Sequence, residues 1–279
     1  MTNPNDLILV LGATGKTGRR VAERLQAAGR EVRLGSRGAT PAFDWEDRST
    51  WAAALDGAGG AYVTYQPDLA VPGGVETVTA FFAQAVAAGC RRLVLLSGRG
   101  EVEAEQAEQA LRASGADWTI LRASWFDQNF DESYFLEPIL AGELALPAGA
   151  AAEPFVDVED IAEIGAVALM EPGHSGKLYE LTGPRALTFA QAVDEIARTT
   201  GREIAFVHVP PEAYGAAMAE AQVPDDVIAL TIYLFTTVLD GRNTPVADGV
   251  MQALGRPARD FSDYVRRTAA TGVWGGGRA

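Results

Sequence analysis

Short stretches that are apolar at every position alternate with longer amphipathic ones through the first 125 residues. Leu7 to Leu11 is one such run and predicts a strand. Arg19 to Leu25, apolar at helical spacing, predicts a helix. The alternation continues with strands at Glu31 to Leu34, Ala61 to Thr64, Leu93 to Leu96 and Trp118 to Leu121. Helices are predicted between them at Ser49 to Leu55, Gly74 to Ala88 and Glu101 to Ser114. Strands alternating with helices imply a parallel sheet covered on both faces, and continuously apolar strands fit burial on both sides. The predicted fold class is α/β, a doubly wound parallel sheet of the Rossmann type.

Beyond Trp125 the rhythm breaks. Phe126 to Ala141 is aromatic-rich and reads as partly helical, Val158 to Met170 as a helix, and Leu178 to Leu181 as a late strand. From Thr188 onward the pattern is mainly helical, with one strand over Ile204 to Val209. We therefore expect a core from residues 1–124 and 154–183, and a smaller, mainly helical cap from 125–153 and 184–279. The closing Trp274-Gly-Gly-Gly-Arg-Ala279 reads as a mobile tail.

Between the first strand and the first helix lies Gly12-Ala-Thr-Gly15-Lys-Thr-Gly18. Glycines let backbone N–H groups approach a diphosphate without a Cβ in the way, and the following helix points its positive end at that charge. A P-loop would need its first glycine at position 10, which is Val10 inside the strand. The spacing that remains, G-x-x-G-x-x-G, is a variant of the dinucleotide fingerprint. At the end of the second strand a carboxylate would bind the ribose of NAD, whereas an arginine accommodates the 2′-phosphate of NADP. The chain has Gly35-Ser36-Arg37-Gly38 there, which favours NADP(H) over a merely solvated arginine. The core is then expected to hold the cofactor and the cap the substrate.

Composition narrows the partners. With 279 residues, 48% of them hydrophobic, the chain can bury a large core. Its formal charge of −14 disfavours nucleic acid and anionic membrane surfaces. The first six residues lack the basic segment and apolar core of a signal peptide, and no apolar run reaches roughly 20 residues. A cytoplasmic location is expected. The single cysteine, Cys90, precedes an apolar strand and reads as a buried structural thiol. His174 sits in a turn and reads as solvated; His208, in a strand, reads as packed or hydrogen-bonded. These three residues give no zinc-type ligand set, so no metal is expected.

Several stretches carry a family resemblance: LGATGKTGRRVAERL, FDWED at Phe43 to Asp47, RRLVLLSG at Arg91 to Gly98, SGADWTILRASWFDQNF at Ser114 to Phe130, and PFVDVEDIAEIGAVAL at Pro154 to Leu169. With DGRNTPVADGV and LGRPARDFSDYV they span nearly the whole chain. In order and spacing they resemble the NmrA-like branch of the atypical short-chain dehydrogenase/reductases. The glycine loop and the following Ser36-Arg37 are most similar to the reductases of ergot-alkaloid pathways, which reduce a cyclic iminium with NADPH. Other relatives are quinone and dye reductases and nucleotide-sensing regulators.

The resemblance implies roles. Gly12, Thr14, Gly15, Lys16, Thr17 and Gly18 would line the diphosphate, with Ser36 and Arg37 at the adenosine end. Asp44 and Trp45 would flank the adenine. Tyr65, Gln66 and Pro67 would lie near the nicotinamide ribose, followed by Ser97, Gly98 and Arg99 from the next strand. Tyr65 and Ser97 are the candidate catalytic residues. Ser124, Trp125 and Phe126 would wall the nicotinamide. Trp125, Phe126, Asn129, Phe130 and Tyr134 would face the substrate, although plain core packing accounts equally well for such aromatics. Ala123 stands where the family's proline would precede this stretch, so the turn is less rigid than the family pattern.

Typical short-chain dehydrogenases donate a proton from a Tyr-x-x-x-Lys pair, and this chain contains none. Ser97 has no evident base. A ketone reductase must protonate an alkoxide; an iminium needs no proton, and a quinone takes its proton from water. The expected function is therefore an NADP(H)-dependent reductase acting on an apolar or cationic cyclic acceptor: an iminium, a quinone or a conjugated polyketide. Asp127, Asp131 and Glu101 either favour a cationic substrate or are solvated helix faces. The rival readings are a non-catalytic NADP-binding sensor and a redox-neutral isomerase, and the partners leave room for a homodimer.

Overall fold

The computed structural model describes residues 7–275. The first six residues and the last four of the expected tail lie outside them. β1 (Leu7–Leu11) leads through the glycine turn into α1 (Lys16–Ala27). Then follow β2 (Val32–Gly35), α2 (Trp51–Leu55), β3 (Ala58–Val63), α3 (Gly74–Ala87), β4 (Arg92–Gly98), α4 (Val102–Ala113) and β5 (Asp117–Ala123). Next come α5 (Leu136–Ala141), β6 (Glu143–Leu146), β7 (Ala152–Glu153), α6 (Val158–Met170) and β8 (Lys177–Leu181). The chain continues through β9 (Leu187–Thr188), α7 (Phe189–Thr200), β10 (Ala205–His208), α8 (Pro211–Glu220) and α9 (Asp225–Tyr233). It closes with α10 (Gly249–Leu254) and α11 (Phe261–Thr271).

Two compact units result. The first runs through Ala123 and takes in Val158–Leu181 and Gly249–Arg256; the second comprises Ser124–Asp157, Thr182–Asp248 and the chain from Pro257. The first unit is built on a six-stranded sheet of order β2-β1-β3-β4-β5-β8, parallel throughout. Pleating explains why its strands are apolar at every position. Leu9, Leu11, Ala61, Val63, Leu93 and Leu95 join a core with Trp51, Phe81, Phe82 and Leu111 from α2, α3 and α4. Their neighbours Val10, Tyr62 and Val94 are equally buried and point to the opposite face. There Gly165 of α6 lets Tyr62 and Val21 of α1 come close: a Cβ on it would lie 3.1 Å from Tyr62 Cε2 and 3.3 Å from Val21 Cγ2. Cys90 is fully buried, as expected, and burial pushes its thiol up to about 12.

The order reverses at β1: β2 lies on one side of it and β3 on the other. Open α/β sheets bind ligands outside the carboxyl ends of their strands at such a switch point. That end of the sheet carries the glycine turn.

The second unit has a parallel pair, β6 with β10, and an antiparallel pair, β7 with β9. Thr188 and Gln191 form a capping box that starts α7, and Gly201 in the left-handed region ends it. Phe189, Ala192, Val193 and Ile196 form its buried stripe. They pack with Phe130, Phe135, Phe155 and Phe261 in an aromatic core.

Two expectations change here. Trp274 belongs to this core, fully buried, with Nε1–H donating to the Phe130 carbonyl at 2.9 Å, so it is no part of a mobile tail. His174 is 8% exposed and its Nδ1 lies 2.9 Å from Tyr179 Oη, so it is packed and not solvated. His208 is held as expected, its Nδ1 3.2 Å from the Ala148 carbonyl.

Candidate functional site

Gly12 leaves β1 in the left-handed region, with φ +63, where a Cβ would lie 2.5 Å from Thr64 Cγ2 at the end of β3. The Gly15 amide donates to the Gly12 carbonyl at 2.8 Å and closes the turn. Gly15 is then the extended N-cap of α1, with no side-chain cap and no acidic residue in the first turn. The N-terminal end of α1 carries partial positive charge, and no acidic side chain in its first turn offsets it. Gly18 brings α1 against the turn, since a Cβ there would collide with the Gly12 carbonyl oxygen. Thr14 is exposed, Lys16 half-buried and Thr17 buried. A glycine turn leading into a helix N-terminus fits a diphosphate. Replacing Gly18 by alanine is expected to cost about 1–3 kcal/mol of stability by overpacking backbone. It should also weaken dinucleotide binding, as read by denaturant titration and calorimetry.

At the end of β2 the Ser36 carbonyl accepts the amides of Ala39 and Phe43 at 3.1 and 2.9 Å, which folds the loop back. Arg37 projects from this loop, exposed, with no ion pair or side-chain hydrogen bond among the described residues. Trp51 Nε1–H donates to the Asp44 carbonyl at 2.8 Å, and Trp45 Nε1–H to the Thr64 carbonyl at 3.2 Å. The Trp45 ring packs 5.0 Å from that of Tyr65. The loops after β2 and β3 are thus tied together. Gln66 Nε2 comes within 3.4 Å of where a Gly15 Cβ would stand. The structure brings the glycine turn, Asp44, Trp45, Tyr65 and Gln66 to one edge of the sheet.

Ser97 and Gly98 end β4 on the same edge. Ser97 does have an acidic partner, contrary to expectation: its Oγ–H donates to Glu108 Oε1 at 2.7 Å. Arg122 of β5 donates to both oxygens of that carboxylate, at 2.8 and 2.5 Å. Glu108 is 2% exposed, and its hydrogen bond raises Arg122 above its ordinary value. Ser97 has committed its one proton, so it can only accept a hydrogen bond from a ligand. The sequence carries a signal for Glu108: it lies on the apolar stripe of α4 with Ala104, Ala107 and Leu111.

Glu101 is not a solvated helix face. It is 8% exposed, and burial beside Asp68 pushes its carboxyl up to about 9. Asp127 is buried as well, and Asp131 accepts the Tyr264 hydroxyl at 2.7 Å.

In the second unit, Ser124 Oγ–H donates to Glu153 Oε1 at 2.6 Å. Trp125 is half-buried, 5.4 Å edge-on to Phe189 and 5.0 Å from Phe235. Phe126 pairs its backbone with Val156, Asn129 is half-buried, and Tyr134 is exposed. Phe130 is fully buried among Phe135, Phe155 and Phe261, which makes it a core residue, not a wall for substrate.

The sheet order, the glycine turn and the helix N-terminus behind it define a Rossmann-type dinucleotide-binding protein. No protein-family profile matches the chain. The chain is 32% identical to a (4-alkanoyl-5-oxo-2,5-dihydrofuran-3-yl)methyl phosphate reductase of Streptomyces griseus, over 92% of this chain and 96% of that one. It is 29% identical to agroclavine dehydrogenase of Claviceps fusiformis, over 92% and 96%. The fold is shared with an NADPH-dependent quinone oxidoreductase of Escherichia coli, with a TM-score of 0.79, 21% identity and coverage of 94% and 99%. The chain belongs to the NmrA-like branch of the atypical short-chain dehydrogenase/reductases, a family of NAD(P)H-dependent reductases. Among the described residues no helix is long and apolar enough to cross a membrane.

Proposed function

We propose that this protein is an NADP(H)-dependent reductase of apolar cyclic acceptors, with an iminium, a quinone or another conjugated ring as substrate. The observation that carries the NADP(H) preference is the exposed, unpartnered Arg37 at the end of β2, with no carboxylate in Gly35 to Gly38. A planar guanidinium matches a phosphate, and its bond to an uncharged ribose hydroxyl is much the weaker one. Gly12, Thr14, Gly15, Lys16, Thr17 and Gly18 would hold the diphosphate. Ser36 and Arg37 would hold the 2′-phosphate, and Asp44 with Trp45 the adenine. Tyr65, Gln66, Ser97 and Gly98 would hold the nicotinamide end, with Ser97 as an acceptor for a ligand N–H or O–H. Ser124, Trp125, Phe126, Asn129 and Tyr134 would supply the cofactor and substrate contacts of the second unit. Bound NADPH supplies the hydride; the chain's own task is to orient the acceptor and keep water away.

The acceptor class rests on the missing Tyr-x-x-x-Lys pair. It is supported by relatives whose named substrates are a clavine and an acylated dihydrofuranone phosphate. The test is the loss of reduced-nicotinamide absorbance with a panel of quinones, cyclic imines and ring enones. Arg37→Ala is expected to weaken NADPH binding about 10–100-fold, the worth of a charge-assisted hydrogen bond, while NADH binding stays as it was. Equal losses for both cofactors, read by calorimetry, remove the 2′-phosphate role.

A further inference from the structure

Asp68 and Glu101 lie in the segments that follow two adjacent strands, β3 and β4, on the edge of the sheet that carries the glycine turn. Glu101 is the N-cap of α4, where a carboxylate would ordinarily accept the first helix amides. It makes no such cap bond. Its carboxyl instead turns back over Gly98, so closely that a Cβ on Gly98 would collide with Oε1. There it forms a hydrogen bond with the Asp68 carboxyl.

Two carboxyl groups in hydrogen-bond contact must hold a proton between them, because both cannot be ionised at that distance. The surroundings decide which one holds it. Asp68 Oδ1 accepts the Ala70 amide at 2.9 Å, which favours the anion on Asp68. Glu101, nine-tenths buried and without a backbone donor, is left as the neutral acid. The other charged group acting on it is Glu103 of the first turn of α4, also acidic, which holds the proton on still more firmly.

We propose that Glu101 is the proton donor for acceptors whose reduction requires a proton, with Asp68 as the partner that keeps it charged with one. This rests on the reductase reading above. In a ring enone, hydride supplied by NADPH forms the new C–H bond at the β-carbon, and the π pair moves toward the carbonyl oxygen. The O–H bond of Glu101 breaks as its proton passes to the resulting enolate. A water proton replaces it on Glu101 as it leaves, so the pair with Asp68 keeps one proton throughout and the water is left as hydroxide. A cyclic iminium takes hydride alone and makes no use of this proton. The pair thus does in the segments after β3 and β4 what a Tyr-x-x-x-Lys pair does elsewhere.

The test has a spectroscopic arm and a kinetic arm. Infrared difference spectra of the cofactor-free protein should show a protonated carboxyl band at pH 8 that is lost in E101Q. In D68N, which removes the neighbouring charge, the band should titrate away about one pH unit or more lower. In the kinetic arm, the ratio of cyclohexenone to dihydroisoquinolinium turnover should fall about 10²–10⁴-fold in E101Q, with E101D recovering part of it. Calorimetry with NADPH verifies that each variant still folds and binds. A wild type that lacks the band at pH 8, or an E101Q with an unchanged turnover ratio, overturns the donor role. A wild type that oxidises NADPH with neither acceptor overturns the reductase reading and the donor role with it.

Discussion

Replacing Glu108 by alanine is expected to lower the unfolding free energy by about 3–5 kcal/mol, the cost of stripping one partner from a buried ion pair. Glu108 is 2% exposed and accepts three hydrogen bonds, two from Arg122 and one from Ser97. Its removal leaves the Arg122 guanidinium, 21% exposed, with the Glu105 carboxylate 3.9 Å away in place of two short hydrogen bonds. It also leaves the Ser97 hydroxyl without its acceptor. Denaturant titration measures the loss. Replacing both together, as Glu108→Leu with Arg122→Met, should avoid most of it, because an apolar pair of similar volume replaces buried charges at little cost. An unchanged midpoint in the single variant would mean that the pair contributes nothing. The same variant turns Ser97 from a fixed acceptor into a free rotor, so its effect on cofactor affinity reports how much that orientation matters.

Replacing Trp274 by alanine is expected to cost about 3–5 kcal/mol, the range for deleting a large buried aromatic. The ring is fully buried, edge-on to Tyr264 with centroids 5.8 Å apart. Arg202 clamps the adjoining backbone, donating to the carbonyls of Ile139, Leu140 and Trp274 at 3.2, 2.7 and 2.5 Å. A chain ending at Val273 should lose at least as much, because the clamp loses its Trp274 carbonyl too. Equilibrium unfolding monitored by circular dichroism reads both. A truncated chain as stable as the full one would show that the indole fills no essential space.

How much was legible before the fold was known follows from where each signal resides. β1, α1, β4 and α6 came from local periodicity, and the observed Lys16–Ala27 and Arg92–Gly98 merely extend the predicted cores. The glycine turn was legible because its requirements are local: a positive φ at Gly12 and a backbone collision at Gly18. Glu108 was hidden because α4 is rich in acidic residues, and its partner Arg122 reaches it from the next strand. The Asp68–Glu101 pair was hidden for the same reason, since only the adjacency of β3 and β4 brings the two together. Trp274 was misread because the glycines after it suggest a loose end, and nothing local reports the cavity it fills. His174 was misread likewise, its partner Tyr179 lying across a turn. Phe130 showed the limit of aromatic clustering, because a core and a substrate wall look alike in one dimension.

The sheet unit is assembled from three separated stretches, the last of them Gly249–Arg256, and the other unit is equally discontinuous. Gly249 seats α10 directly on β8, where a side chain would collide with the Glu180 backbone. A ribosome releases this polypeptide from its amino end, so the nascent product cannot mature one domain at a time. β8 waits for α10 while the whole stretch between Leu181 and Gly249 is made. Until then the surface of β8 that α10 covers stays open, the kind of exposure that favours aggregation during synthesis.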